Sequence, residues 1–407
     1  MRLHIGELFW PNNTDVPVLN TKNNFDNSIR DVLVVGGGIS GAISAYRLAR
    51  EGYEVTLIDQ NKIASGSTSA NTGLIQYMSD KGVVDFIEQI GATDAIRFYR
   101  QSIQAVETLR KINEELESLK TDNFDIKKSI ILATESGMYS DVKNEAEKQA
   151  ELGFGASFLD ETELKEKNID AYGGLVAYPD IGLNPYGFVY RLIEKAIDDF
   201  GLHVHEDCSF EKVEDTPNGE LVTIKKNGEE IKREFKKVLF ATGYNPPQMF
   251  KDKLNKLILF KTYVTVSKKN EEYDHEPDFL VWEVRNPYTY FRQTFDKRYM
   301  IGGMDVRDDD LKEEDIDKNT NELISKTIDM IDDKDINIEP EYSYAAIFGE
   351  SDDNIPYMGT DPDNPNLFVI CGAGGNGTVY STIASEMVLL WMKGEDLSEY
   401  EIFRLGR

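Results

Sequence analysis

The chain is poor in the residues that build metal centres and covalent frameworks. Of its 407 residues only Cys208 and Cys371 are cysteines and four are histidines. No C-x-x-C pair and no mixed ligand cluster exists, which excludes a disulfide framework or a zinc site and leaves reduced thiols as the expectation. His203 and His205 alternate on an expected strand, while His4 and His275 sit in polar surroundings, so all four read as ordinary surface residues. No segment approaches about 18 consecutive apolar residues, and MRLHIGELFWPNNTDVPVLN lacks a basic then apolar leader, so no transmembrane segment is expected and the protein reads as cytoplasmic. Positive charge is also scarce. Lys and Arg total 45 against 73 Asp and Glu, a formal charge of −28, with nothing more basic than pairs such as Lys127-Lys128 and Lys225-Lys226. That argues against nucleic acid and anionic membranes as partners. The acidic stretches 305–317 and 329–335 lack the central glycine of an EF-hand loop and read as solvated helix faces.

What is present suits a folded protein of two or three domains: 40% hydrophobic and 29% charged residues. Residues 1–28 read as an irregular arm that packs through Phe9 and Trp10. Asp31–Val35 is an apolar run suited to a strand buried on both faces, followed by a helix from Ile39 to Glu51, Gly52 at its end, and a second strand Glu54–Ile58, a βαβ start. A long amphipathic helix is expected around Ile96–Leu116, a strand at Ser129–Thr134, a capping box at Asp160 and Glu163, and a helix opened by Asn184-Pro185 that stops near Phe200-Gly201. Between 257 and 304 four β-rich runs (Leu257–Val266, Phe279–Val284, Tyr288–Thr294, Tyr299–Gly303) predict a mostly antiparallel sheet.

The chemistry lies in glycine turns. Gly36-Gly37-Gly38-Ile39-Ser40-Gly41 holds the G-x-G-x-x-G pattern between a strand and a helix. There Gly36 permits the tight turn, Gly38 lets backbone approach a pyrophosphate at the helix N-terminus, and Gly41 lets helix and strand pack closely. Asp59 ends the second strand, placed to accept hydrogen bonds from an adenosine ribose and to repel a 2′-phosphate. The fingerprint alone does not separate NAD from FAD. Three further segments favour FAD: the hydroxyl-rich loop Ala64–Ile75, the strand Lys237–Phe240 ending in Ala241-Thr242-Gly243, and the strand Leu367–Gly372 whose turn Ala373–Thr378 leads into a helix at Val379–Met392. A second helix N-terminus of this kind would stabilise negative charge at the pyrimidine end of a flavin.

Taken together, GGGISG, Asp59, ASGSTSANTG, the ATG strand, Asp353–Gly359 and GAGGNG resemble the FAD-dependent D-amino acid oxidase superfamily, which includes glycine oxidase, sarcosine oxidase and related amine dehydrogenases. The resemblance spans about residues 31–395. It implies an α/β (α+β) fold: a Rossmann-like FAD/NAD(P)-binding domain of glutathione-reductase type from residues 29–125, 184–250 and 337–407, and a mostly antiparallel β-sheet substrate domain from 126–183 and 251–336. It also implies cofactor contacts at Gly36, Gly38, Ile39, Ser40, Gly41, Asp59, Gln60, Thr68, Ser69, Asn71, Thr72, Gly73, Leu74, Phe210, Ala241, Thr242, Gly243, Gly374, Gly375, Asn376, Gly377 and Thr378.

The substrate residues depart from that pattern. The position where many amino-acid oxidases carry a carboxylate-binding arginine is Phe348. The sarcosine oxidases' carboxylate-binding lysine falls at Val379, and their flavin-linking cysteine near Ala346, so the flavin is expected to be non-covalent. Period-two spacing puts Tyr288, Tyr290 and Arg292 on one strand face, where Arg292 is a candidate partner for an anionic substrate group and Tyr290 a hydrogen-bond donor. Packing tyrosines and a local ion pair are the competing reading. The expected function is oxidation of the C–N bond of a small amine or amino acid by hydride transfer to flavin N5, giving an imine that hydrolyses. The alternatives are a 2-hydroxy-acid dehydrogenase or oxidase and a flavin-containing tRNA-modifying or binding protein. The residues do not choose between oxygen and a quinone as electron acceptor.

Overall fold

A computed structural model describes residues 2–22, 24–25, 28, 30–116, 124–254, 256–270, 279–332 and 336–407. His275 and residues 333–335 lie outside them. Two sheets organise the chain, one 10-stranded and one 8-stranded among the described residues.

The smaller sheet begins with Arg30–Val35 and Val55–Ile58, buried from Val32 to Val35 and throughout Val55–Ile58, as strands covered on both faces must be. Parallel pairing runs from Leu367–Cys371 through Glu229–Phe240, Arg30–Val35 and Val55–Ile58 to His203–His205. The helices Ile39–Arg50 and Gly377–Lys393 lie against one another over this sheet. Ser40 Oγ and Ser381 Oγ are 2.6 Å apart, and Arg47 donates to Ser385 Oγ at 2.8 Å, so the two helices start side by side. The second helix begins two residues before the expected Val379, at Gly377.

The larger sheet runs, in spatial order, His4–Gly6, Pro340–Ser351, Leu257–Ser267, Tyr299–Val306, Thr289–Gln293, Phe279–Glu283, Asp125–Ala133, Gly173–Gly182 and Leu74–Ile75, with Ala156–Asp160 as a tenth strand that also pairs with Gly173–Gly182. Its pairs are antiparallel except Phe279–Glu283 with Asp125–Ala133. One face packs on the helix Glu314–Met330 through Tyr263, Ile301 and Leu323. The local signals behave as expected: the Asp160–Glu163 capping box is formed, Asn184 caps Pro185–Phe200, and Gly201 ends that helix at φ +72°. No helix among the described residues is long and apolar enough to cross a membrane.

Three expectations are corrected. The arm is ordered: His4–Gly6 pairs with Tyr344–Ala346, and Phe9–Asn13 is a helix whose Trp10 is buried and donates to Asn71 O at 2.7 Å. His205 is buried, stacked 3.7 Å from Phe25, and burial lowers its pKa to about 4. The stretch 305–317 is a helix face only from Glu314 onward; Asp305 belongs to a strand.

Candidate cofactor and substrate site

Two adjoining cavities lie where the parallel strands end and the larger sheet begins, one of about 480 Å³ and one of about 120 Å³. They share Ser67, Asn71, Tyr244 and Gly374 as walls.

The larger cavity is a channel of backbone. Gly36, Gly38, Ile39 and Ser40 form one wall, Ala241, Thr242 and Gly243 a second, and Gly374, Gly377 and Thr378 a third. Gly36 has φ +111°, and a Cβ there would lie 2.3 Å from Ala241 O; a Cβ on Gly41 would lie 1.8 Å from Gly36 O. Side chains at these positions would thus push the turn off its helix and off the neighbouring loop. Both helices that open here, at Ile39 and at Gly377, start without a capping side chain, and Ile39 N donates to Thr68 Oγ1 at 3.0 Å. Helix N-termini lacking their own caps, and facing an open channel, suit an anionic pyrophosphate and an electron-rich ring edge. Asp59 lies on the same channel. It accepts from Gly37 N at 2.7 Å and Asn61 N at 2.7 Å, while burial raises its pKa. Gln60, Thr68, Asn71 and Phe210 complete the wall. These residues fit a dinucleotide: uncapped helix ends for the phosphates, a carboxylate for ribose hydroxyls, and glycine where a ring must approach backbone.

The smaller cavity has side-chain walls. Thr72, Leu74, Tyr288, Tyr290, Gly375 and Asn376 reach it, with Gln76, Asp80, Thr262, Trp282, Asp305 and Phe348. Asn376 Nδ2 also donates to Met78 O, fixing the start of the last helix. Tyr290 sits over Gly302, whose missing Cβ would meet the Tyr290 hydroxyl at 2.3 Å. Tyr288 donates to Asp305 Oδ2 at 2.6 Å. Burial raises the Asp305 carboxyl to about 6 against the lowering effect of hydrogen bonds from Thr262 and Tyr288; Asp80 raises it further.

Four sequence-derived positions stand behind these walls. Gly41 packs against Gly36 as described. Ser69 Oγ donates to Gly66 O at 2.7 Å inside its own turn. Gly73 lies against Leu183 O. Arg292 requires a correction: it shares the sheet face of Tyr288 and Tyr290 but lines neither cavity. Its Nε donates to Thr72 O and its Nη2 to Leu183 O, both at 2.8 Å, and the guanidinium lies 5.6 Å from the Trp10 ring. This buried guanidinium, held by two carbonyls and an aromatic ring, keeps the Asn71–Gly73 loop in place, and it lies behind the cavity walls where a substrate in either cavity does not reach it.

Asp80 and Asp305 were missed by sequence reasoning. Asp80 follows the glycine-rich loop without a motif. Asp305 was hidden by a β-bulge: Tyr263 pairs with Gly303 but Lys261 with Val306, one residue more on the second strand. Simple alternation would put Asp305 on the helix-covered face with Ile301 and Gly303; the extra residue, with Met304 at φ +59°, turns it to the cavity beside Thr262.

The family model for DAO, FAD dependent oxidoreductase, matches residues 31–389. Among solved structures, glycine oxidase from Geobacillus kaustophilus superposes with a TM-score of 0.77 at 18% identity, covering 93% of this chain and 98% of that one. L-proline dehydrogenase from P. horikoshii gives 0.72 at 19% identity, covering 93% and 97%. The Bacillus subtilis protein YhfW, named for a Rieske 2Fe-2S centre, is 29% identical over 109 residues, 27% of this chain. The chain spans only 21% of that relative's length.

Proposed function

The chain belongs to the DAO family of FAD-dependent oxidoreductases, and from that premise we propose that it oxidises the C–N bond of a small amine or amino acid to an imine that water then hydrolyses. FAD, when bound, supplies the two-electron acceptor for the hydrogen that leaves carbon.

The observation that carries this reading is the smaller cavity. It adjoins the cofactor channel, sharing Ser67, Asn71, Tyr244 and Gly374 with it. Thr72, Leu74, Gly375 and Asn376, expected to contact the cofactor, line this cavity too, so a small molecule lodged there lies beside the cofactor at the last glycine turn. The chain's own residues do the rest. Gly36, Gly38, Ile39 and Ser40 would hold the cofactor's phosphates, Asp59 its ribose, and the Gly377 helix end its electron-rich ring edge. Tyr288 and Tyr290 confine the substrate, and Asp305 is placed to accept a proton.

The test is anaerobic loss of the oxidised-flavin absorption band with panels of amines, amino acids and 2-hydroxy acids. The proposal expects the nitrogen-bearing panels to bleach the flavin. Bleaching by hydroxy acids alone would replace it.

A further inference from the structure

The smaller cavity has walls of one electrical sign. Asp80 and Asp305 line it, and no Lys, Arg or His among the described residues does. Glu350 stands directly behind, where a Cβ on Gly374 would lie 3.4 Å from its Oε2. Asp80 is an exposed residue that lines the cavity, and it has no hydrogen-bond or ion-pair partner among the described residues. Asp305 Oδ1 is buried and unpartnered as well. The three carboxylates are mutually unfavourable: after burial, Asp80 raises the proton affinity of both Asp305 and Glu350.

Cations on the same strands are committed elsewhere. Lys261 Nζ donates to Asp308 Oδ2 at 2.7 Å and Asp310 O at 3.2 Å, and Arg292 is spent on Thr72 O and Leu183 O. Asp80 and Asp305 face the cavity with no cation opposite among the described residues, so a positive occupant would offset their charge. Aromatic walls from Tyr244, Trp282, Tyr288, Tyr290 and Phe348 suit the same occupant, since ring faces attract cations. Gln76 Nε2 and Trp282 Nε1 are buried without acceptors; they are uncharged donors, able to hold a neutral oxygen but bringing no charge against a carboxylate. No three His, Cys, Asp or Glu side chains among the described residues are grouped to hold a metal ion, which leaves an organic cation.

We infer that the substrate is a small amine that enters as its ammonium ion and carries no carboxylate beside the C–N bond, its nitrogen seated against Asp80 and Asp305. This rests on the reading of the smaller cavity as the substrate site. Asp305 takes one proton from the ammonium, leaving a neutral amine whose lone pair forms the C=N bond. The carbon gives up its hydrogen with the bonding electron pair to FAD. Iminium, reduced flavin and protonated Asp305 account for every atom and electron.

The test uses the holoenzyme under nitrogen. Butylamine is compared with norvaline, the same chain bearing a carboxylate at the reacting carbon, by the rate of flavin bleaching. Binding of tert-butylammonium, which has no hydrogen on the carbon bearing nitrogen, is compared by calorimetry with that of its anionic isostere pivalate. The expected result is bleaching by butylamine at least 30-fold more efficient than by norvaline, and binding of tert-butylammonium but not pivalate. Asp80→Asn and Asp305→Asn should each cost at least tenfold in both readouts while flavin content and melting temperature hold. Should either variant fail to fold, the two ligand pairs on the unaltered enzyme decide. Norvaline matching butylamine, or pivalate binding, overturns the inference and leaves C–N oxidation standing. A flavin that dithionite bleaches and no amine or amino acid does overturns both.

Discussion

Tyr288 donates its hydroxyl hydrogen to Asp305 Oδ2 at 2.6 Å, tying the loop before strand Thr289–Gln293 to the bulged end of strand Tyr299–Val306 at the wall of the smaller cavity. The pair sets the pH response of the site. Burial lifts the Asp305 carboxyl to about 6, Thr262 and Tyr288 pull against it, and Asp80 adds to the rise. Glu350, raised to about 7, is the other carboxyl in this field.

Asp305 must be ionised to attract an ammonium and accept its proton, so kcat/KM should rise with pH through about 6 and fall away below it. An aliphatic amine stays protonated throughout that range, at a pKa near ~10. Tyr288→Phe removes a hydrogen bond to the ionised form and should move this limb upward by about one unit. The measurement is the pH profile of kcat/KM for both enzymes; an unmoved limb removes Asp305 from the titration.

Arg292→Ala should act on stability and flavin retention before it acts on substrate. The change leaves Thr72 O and Leu183 O without their donor, a loss of about 2–4 kcal/mol if both stay buried. Thermal unfolding and the ratio of flavin to protein absorbance are the readouts. A fully stable, fully loaded variant with a raised KM would restore Arg292 to substrate binding.

Gly41→Ala should be worse than its size suggests. The new methyl would lie 1.8 Å from Gly36 O, so the turn and helix must separate, at a cost of about 3 kcal/mol or more. The variant should purify colourless or fail to accumulate. Gly52→Ala supplies a control, since nothing lies within 4 Å of a Cβ there; its φ of +89° makes any effect one of backbone strain alone.

The cofactor channel was largely legible because its chemistry is local. Glycines next to a buried strand state where backbone must come close, and Asp59 ends the neighbouring strand; Gly36, Gly38 and Asp59 line one channel with Gly374 and Gly377 from the far end of the chain. The substrate wall was not legible in the same way. Tyr288 and Tyr290 follow simple alternation and reach the cavity, but Arg292, one step further on the same face, has passed its edge. Asp305 reaches the cavity only because a bulge breaks the alternation. The arm read as irregular for want of periodicity, although Trp10 anchors Asn71 through a single hydrogen bond no pattern announces.

Asp180 carries a pH prediction for folding. It is fully buried, accepts from Tyr77 N at 2.8 Å, and burial raises its carboxyl to about 7. A carboxyl whose folded pKa exceeds its unfolded value favours the folded state while protonated; that contribution is complete below about 4 and is lost as pH rises toward 7. Asp180→Asn keeps an acceptor for Tyr77 and removes the charge, so it should flatten this part of the stability curve and gain on the order of 2–4 kcal/mol at pH 8. Urea unfolding at pH 5 and pH 8 checks it; an equal pH dependence in both proteins would contradict it.

C–N oxidation is tested most directly by counting nitrogen. Under nitrogen gas, with substrate in excess and the flavin band followed to completion, each equivalent of FAD bleached by a primary amine should release one equivalent of ammonia. Complete bleaching without ammonia would mean that another bond is oxidised and would contradict the account.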